Sequence, residues 1–256
     1  MSINIAERHK LILAKLEQDG FVTVSNLSEE FNVSSVTIRK DLKLLEELNL
    51  LFRSHGKAIP SNPYTKEQSV NEKVKLHKEE KKRIAQKGAQ SIEPHDSIIL
   101  ASGTSVIEMA NQIKPTQGLT VLTGSLNAAL IVSELRDVDV IQLGGVVRKS
   151  SSSIIGPIGE KMLSEFTCSK LFLGVDGIDL EFGLTTTNSM EASINKAMIR
   201  AAQKIIVLAD SSKFGKKGFG RICGLEEVDQ IITDNLIKED YKEKFTELGI
   251  DVIIVV

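Results

Sequence analysis

Tryptophan is absent from the 256 residues, and tyrosine occurs only twice. Proteins that hold single-stranded nucleic acid lean on aromatic stacking platforms, so that class is set aside. Cysteine is scarce as well. Cys168 and Cys223 have neither metal-ligand spacing nor a disulfide framework, which points to a reduced interior and to no bound metal. No stretch approaches the roughly twenty apolar residues of a membrane span. Met1-Ser2-Ile3-Asn4-Ile5 lacks the basic segment and apolar core of a signal peptide, so a cytoplasmic protein without membrane association is expected. Excess charge of one sign is also missing. A net charge of −2 argues against coating nucleic acid by bulk electrostatics, but not against a DNA reader whose cations gather on one small face.

What is present centres on Ser34 to Leu48. Ser34 is a favoured N-cap residue, and Ile38, Leu42 and Leu45 recur on one helical face. The other face presents Ser35, Thr37, Arg39, Lys40 and Lys43, hydroxyls and cations suited to base edges and phosphates in a DNA major groove. Upstream, Val24 to Phe31 reads as a short helix and Asn32-Val33 as a tight turn. Downstream, Leu50 to Ile59 reads as a small basic hairpin carrying Arg53, His55 and Lys57, with Phe21 to Val24 as an extended piece able to pair with it. Two helices, a turn and a wing describe a winged helix-turn-helix. His55 has two readings, a DNA contact or a cap on the wing turn.

Pro60-Ser61-Asn62-Pro63 breaks regular structure and marks a boundary. Three segments follow: a DNA-binding domain over 1–59, a linker and connecting helix over 60–90, and an α/β domain over 91–256. The charged stretch 64–90 carries a thin apolar stripe and reads as a helix packed on the second domain, the alternative being that its lysines touch DNA backbone. Beyond Pro94, apolar runs near 97–101, 119–123, 138–143, 170–175, 205–209, 230–233 and 251–255 alternate with amphipathic helical stretches. That alternation predicts a mostly parallel, doubly wound sheet. Ser150 to Ser153 reads as a mobile loop.

In such a sheet ligands bind beyond the carboxyl ends of the strands. Ser102-Gly103-Thr104-Ser105 is either a phosphate-sized anion cradle or a plain turn capped by serine. Thr123-Gly124-Ser125 is a second cradle of similar design. Gly144 and Gly145 precede Arg148, which forks onto a phosphate or a carboxylate unless it is simply solvated. Asp176, ending an apolar run, suits sugar hydroxyls better than loop capping. Lys213 is a compact cation that Asp210 is placed to hold. On one rim these groups suit a small phosphorylated polyol. A dinucleotide is excluded, since no Gly-x-Gly-x-x-Gly follows the first strand and no Walker lysine appears. No cofactor is expected.

At this point the chain closely resembles the DeoR family of bacterial sugar-metabolism repressors. The resemblance rests on Val33-Ser34, Thr37-Ile38-Arg39-Lys40-Asp41-Leu42, Leu45-Glu46 and Arg53-Ser54-His55-Gly56 in the first domain. In the second it rests on Ser102-Gly103-Thr104, Leu143-Gly144-Gly145, Gly174 to Asp179, Gly183-Leu184-Thr185-Thr186 and Ala209 to Gly215. It implies a winged-helix operator binder joined to an α/β sensor with a mostly parallel sheet, like ribose-5-phosphate isomerase and CoA-transferases. The sensor would bind a phosphorylated sugar that usually relieves repression. Three positions depart from the family pattern: Ala101 stands where aspartate is usual, Gly124 where asparagine is usual, and Lys57 where the wing has a second glycine.

The rival reading is a sugar-phosphate isomerase with a DNA-binding appendage. Isomerisation needs a carboxylate base and cations for the enediolate, for which Asp176, Asp179 and Glu191 are available with Lys213. Isomerases of that fold carry a lysine followed by glycines before the helix bearing the base. The matching segment here, Gly183 to Asn188, has no lysine, although Glu191 heads the helix as the base would. The reading adopted is therefore a regulator and not an enzyme. Its expected partners are double-stranded operator DNA and a phosphorylated sugar or polyol, and it would act as a homodimer or homotetramer, because one winged helix buries too little surface for a tight site. Ser35, Thr37, Arg39, Lys40, Lys43, Arg53, His55 and Lys57 would contact DNA. Ser102, Gly103, Thr104, Ser105, Thr123, Gly124, Ser125, Gly144, Arg148, Asp176, Glu191 and Lys213 would hold the effector.

Overall fold

The computed structural model describes residues 4–19, 21–48, 50–54, 57–59 and 70–256. The chain divides into two compact units, Met1–Lys66 and Glu67–Val256.

The first unit starts with α1 (Ile5–Asp19), whose Ile12 and Leu16 are fully buried. Strand β1 (Val22–Thr23) leads directly into α2 (Val24–Glu30), where the extended Thr23 caps the helix by accepting from the Asn26 amide at 3.2 Å. Asn32, at φ 49°, turns the chain, and Ser28 Oγ secures the turn by donating to the Val33 carbonyl at 2.6 Å. Helix α3 (Ser35–Glu47) begins as expected, with Ser34 accepting from the Thr37 amide at 3.1 Å. Strands β2 (Phe52–Ser54) and β3 (Lys57–Ile59) form the wing, and β1 adds to β3 with Val22 opposite Ala58. Ile12, Leu16, Val22, Leu27, Ile38, Leu42, Leu45 and Leu51 share one core. Each such side chain contributes about 1.5–3 kcal/mol by leaving water. Asp41 is buried in this unit too, accepting from Arg8 Nε at 2.6 Å and Nη2 at 3.0 Å.

In the second unit the expected single helix over 64–90 is not continuous in its described part. Helix α4 (Val70–Lys73) ends in a turn, and α5 (Lys78–Ala89) starts after His77 at φ 50°. Lys81 stabilises the break by donating to the carbonyls of Lys73 at 2.6 Å and Leu76 at 2.7 Å. Ile84 and Ala85 are fully buried, so α5 belongs to the core of this unit rather than to a connector.

The sheet follows from β4 (Ser97–Leu100), α6 (Thr104–Gln112), β5 (Leu119–Thr123), α7 (Leu126–Ser133) and β6 (Val138–Gln142). After the hairpin β7 (Val146–Arg148) and β8 (Ser153–Ile155) come α8 (Pro157–Leu163), β9 (Cys168–Gly174), β10 (Gly177–Asp179), β11 (Gly183–Thr186) and α9 (Ser189–Arg200). The chain ends with β12 (Ala202–Leu208), β13 (Gly220–Cys223), β14 (Gln230–Asp234), α10 (Glu239–Glu247) and β15 (Asp251–Val255). Seven strands run parallel in the order β15-β14-β12-β9-β4-β5-β6. Alternate side chains enter two cores. Phe172 and Leu100 share one with Ile84, Met109 and Val132, while Leu171, Leu173 and Ile99 share the other with Leu163, Met198 and Phe245. With both faces covered, the strands read in sequence as continuous apolar runs. From β4 the chain winds outward through β5 and β6, then returns beside β4 as β9 and winds the other way. The chain therefore leaves the carboxyl ends of β4 and β9 in opposite directions, and a crevice opens beyond them.

Ser150 to Ser152 form the turn that joins β7 to β8, a loop as expected. Ser153 opens β8 opposite Arg148, and Ser151 and Ser153 are buried with their hydroxyls 2.8 Å apart. Hairpin pairing gives this polar patch a fixed register. No helix among the described residues is long and apolar enough to cross a membrane.

Candidate effector pocket and DNA-reading face

A recess opens beyond the carboxyl ends of β4 and β9. The first turn of α6 lines it, and the N-cap Gly103 has no side chain to occupy the amides there. Gly103 sits at φ 119°, a backbone conformation that other residues reach only under strain. Gly174, ending β9, completes the close approach, because a Cβ there would lie 3.0 Å from the Ser102 carbonyl oxygen.

Asp176 follows two residues later. Its Oδ1 accepts from Lys73 Nζ at 2.6 Å, and its Oδ2 from the Thr186 hydroxyl at 3.1 Å and the Thr187 amide at 3.2 Å. Burial pushes the Asp176 carboxyl up, but Lys73 beside it outweighs burial and, with Lys213 and the Thr187 amide, holds it below the usual carboxylate range. Asp176 thus both caps its loop and faces the recess. Opposite, Arg148 Nη1 lies 3.4 Å from Glu191 Oε1 and donates to Ser150 Oγ at 2.6 Å. Glu191, at 6% exposure, also accepts from Thr186 Oγ1 at 3.3 Å. Three cations (Lys73, Arg148, Lys213) and two carboxylates (Asp176, Glu191) line the recess, an excess of one positive charge.

Ser102, Gly103, Thr104, Ser105, Arg148, Asp176, Glu191 and Lys213 are therefore brought together. Thr123, Gly124, Ser125 and Gly144 do not line the recess. Thr123 Oγ1 donates to the Leu100 carbonyl at 2.7 Å and accepts from the Ser125 amide at 3.0 Å. Ser125 caps α7 through the Ala128 amide, and the Gly124 carbonyl accepts from Ile154 at 2.8 Å. Thr123 and Ser125 are fully buried, so the second cradle is a structural turn whose polar groups the fold itself satisfies. Gly144 lies exposed outside the recess. The expected hold of Asp210 on Lys213 is not formed: Asp210 Oδ1 accepts from the Ser212 amide at 3.1 Å, and Oδ2 has no hydrogen-bond partner.

Val70, Lys73, Ser150, Ser151, Thr186 and Asn195 also line the recess and escaped the sequence reading. Asn195 was within reach of it, one helical turn beyond Glu191 on α9. Lys73 was not, since nothing separates it from the other lysines of a charged run.

On α3, Arg39, Lys40 and Lys43 are exposed, while Ser35 and Thr37 are half-buried. The Thr37 hydroxyl is engaged at 2.9 Å with Ser34 Oγ, and Lys43 lies 3.8 Å from Glu47. On the wing, Arg53 donates through Nε to Glu46 at 2.7 Å, and Lys57 sits 4.9 Å from the centre of the Phe21 ring. His55 lies outside the described residues.

The DeoR-like helix-turn-helix domain model matches residues 8–62, and the DeoR C terminal sensor domain model matches 76–235. The chain belongs to the DeoR family. It is 36% identical over 252 residues to a putative aga operon transcriptional repressor of Escherichia coli O157:H7, covering 98% of this chain and 94% of that one. It is 32% identical to the regulator GlpR of Haloferax volcanii, covering 97% of each chain. It is also 32% identical to the repressor GlcR of Bacillus subtilis, covering 97% and 95%. Among solved structures, ribose 5-phosphate isomerase from Plasmodium falciparum matches with a TM-score of 0.40 at 17% identity, over 53% of this chain and 52% of that one. The sorbitol operon regulator SorC from Klebsiella pneumoniae matches at 0.38 and 15% identity, over 80% and 89%. These two likenesses are partial, and the family assignment stands on the domain matches and the relatives. This DeoR-family chain is a DNA-binding transcriptional regulator with a winged helix-turn-helix and an α/β sensor unit.

Proposed function

We propose that this protein represses genes of carbohydrate metabolism in the cytoplasm, and that a phosphorylated sugar or polyol in the recess beyond β4 and β9 controls its hold on operator DNA. The observation that carries this reading is the convergence of five separately chosen stretches (102–105, Arg148, Asp176, Glu191 and Lys213) into one recess at the switch point of the sheet. The α6 amides, Arg148 and Lys213 suit a phosphate, while Asp176, Glu191 and Asn195 suit hydroxyl groups. The relatives lend the regulatory half, one being a putative aga operon transcriptional repressor and another the transcriptional repressor GlcR.

Turnover is disfavoured by the state of the candidate bases. Lys73 holds Asp176, Arg148 and Thr186 hold Glu191, and Asp179 accepts from the Phe182 amide at 2.7 Å and pairs with Lys217 at 3.3 Å. Of the three, Glu191 Oε1 accepts no hydrogen bond and is paired with Arg148 at 3.4 Å, so a carbon-bound proton would have to go to a carboxylate already in an ion pair.

The switch acts as follows. Hydroxyls of the effector compete with Lys73 for Asp176, loosening α4, which follows the DNA-binding unit in sequence. The oligomer, dimeric at least, then binds operator less well. A tenfold preference for one state supplies only about 1.4 kcal/mol, so switching needs a larger preference or coupled sites. Titration of a panel of sugar phosphates into an operator complex tests this. One of them should release the DNA and raise the unfolding temperature of the protein, and no change in DNA affinity with any of them would overturn the proposal.

A further inference from the structure

The outward line of α3 does not run through its cations alone. Ile38, Asp41, Leu42 and Leu45 define the buried side. With about 100° between successive residues, the direction opposite passes through Val36, Lys40, Lys43 and Glu47, with Arg39 on one flank and Thr37 on the other. Val36 is 56% exposed and packs on no core cluster of its unit. A lone exposed apolar residue is ordinary surface. Val36 differs in its place, on the same line as Lys40 and Lys43 and in the first turn of the helix that a helix-turn-helix inserts into the major groove. The Ser34 and Thr37 hydroxyls, flanking it in that turn, are bonded to each other at 2.9 Å. At the far end of the line the acidic Glu47 would repel phosphates, so the helix enters by its amino end.

Valine donates and accepts no hydrogen bond. The base edges of the major groove carry one apolar group, the C5-methyl of thymine. We propose that Val36 reads the C5-methyl of a thymine in the operator and, beside Arg39, Lys40 and Lys43, determines specificity at that base pair. This rests on α3 being the element that enters the groove.

The test uses the full-length protein and duplexes enriched by it from a random pool. Each thymine of the enriched site is replaced in turn by deoxyuridine, which removes only the methyl group, and affinity is read by fluorescence anisotropy. Loss of one buried methyl should weaken wild-type binding about fourfold at one thymine per half-site. Val36→Ala should bind the thymine and uracil duplexes equally, Val36→Ile should keep the preference, and neither should shift the unfolding midpoint. A thymine preference that survives in Val36→Ala, or no thymine whose methyl matters, overturns the proposal while DNA binding stands. Failure to enrich any duplex overturns the DNA-reading assignment of α3 and the proposal with it.

Discussion

Lys73 Nζ lies 2.6 Å from Asp176 Oδ1, a contact closed across 103 residues of sequence. It ties α4, the first described element after residue 69, to the loop that ends β9 at the floor of the recess. The amide of Val70 adds a second tie by donating to the Ser150 carbonyl at 2.8 Å. Anything that competed for Asp176 would free α4 from this ion pair.

Replacing Lys73 with methionine should uncouple the two activities. The side chains are 23% and 20% exposed, so losing the pair should cost about 1–2 kcal/mol, short of the value for a fully buried one. The variant should still bind operator and sugar phosphate, measured separately by anisotropy and calorimetry, but the sugar phosphate should no longer weaken operator binding. A wild-type response would show that Lys73 plays no part in the coupling.

Asp41 should control the acid stability of the DNA-binding unit. Burial raises its carboxyl pKa, but the bonds from Arg8 and His9 outweigh burial, and the folded value lies below the ordinary one. A depressed carboxylate stabilises the fold above its unfolded pKa, near 4, and that contribution disappears as pH falls through the folded value. Thermal melts followed by circular dichroism should show the midpoint of this unit dropping below about pH 4. Asp41→Asn removes the ion pair with Arg8 and should lower the melting midpoint at neutral pH, with a flatter dependence on acid.

Gly103→Ala isolates the anion cradle. A Cβ there meets only Gly174 Cα, at 3.8 Å, so the cost is backbone strain at φ 119° and not a clash. Strain of about 1–3 kcal/mol should rotate the first amides of α6. Calorimetry should then show sugar-phosphate affinity falling at least tenfold while operator affinity without effector is kept.

Arg39→Ala should cost about 1–3 kcal/mol if the guanidinium reads a guanine, and the loss should be confined to duplexes carrying it. If Arg39 holds only phosphate, binding should weaken alike on all sequences and its salt dependence should flatten. Anisotropy at two salt concentrations separates the two.

Cys223 should resist chemistry while the chain is folded. Burial, with Glu227 and Glu226 nearby, pushes its thiol pKa up to about 12, leaving almost no thiolate at neutral pH. Iodoacetamide followed by mass spectrometry should label it only after unfolding.

Residue order alone was enough for several features governed by local periodicity and chemistry. Ser34 as a cap, the Ile38-Leu42-Leu45 stripe, the pairing of Val22 with the wing and the alternation of apolar runs with helices depend on neighbours within a few positions or on a simple repeat. The Ser102-to-Ser105, Arg148, Asp176 and Lys213 cluster was legible for a related reason, because strand ends in a parallel sheet share one rim.

Tertiary structure alone decided which polar groups remained available. Thr123 and Ser125 have the same residue types as the Ser102-to-Ser105 turn, yet the backbone around them engages their hydroxyls. Lys73 stands unmarked in a run of charges until α4 folds back on β9, and Asp41 is an unremarkable helix acid until α1 brings Arg8 to it. Hydrogen-bonding capacity is inherited from composition, but its allocation depends on long-range contacts that no local pattern encodes.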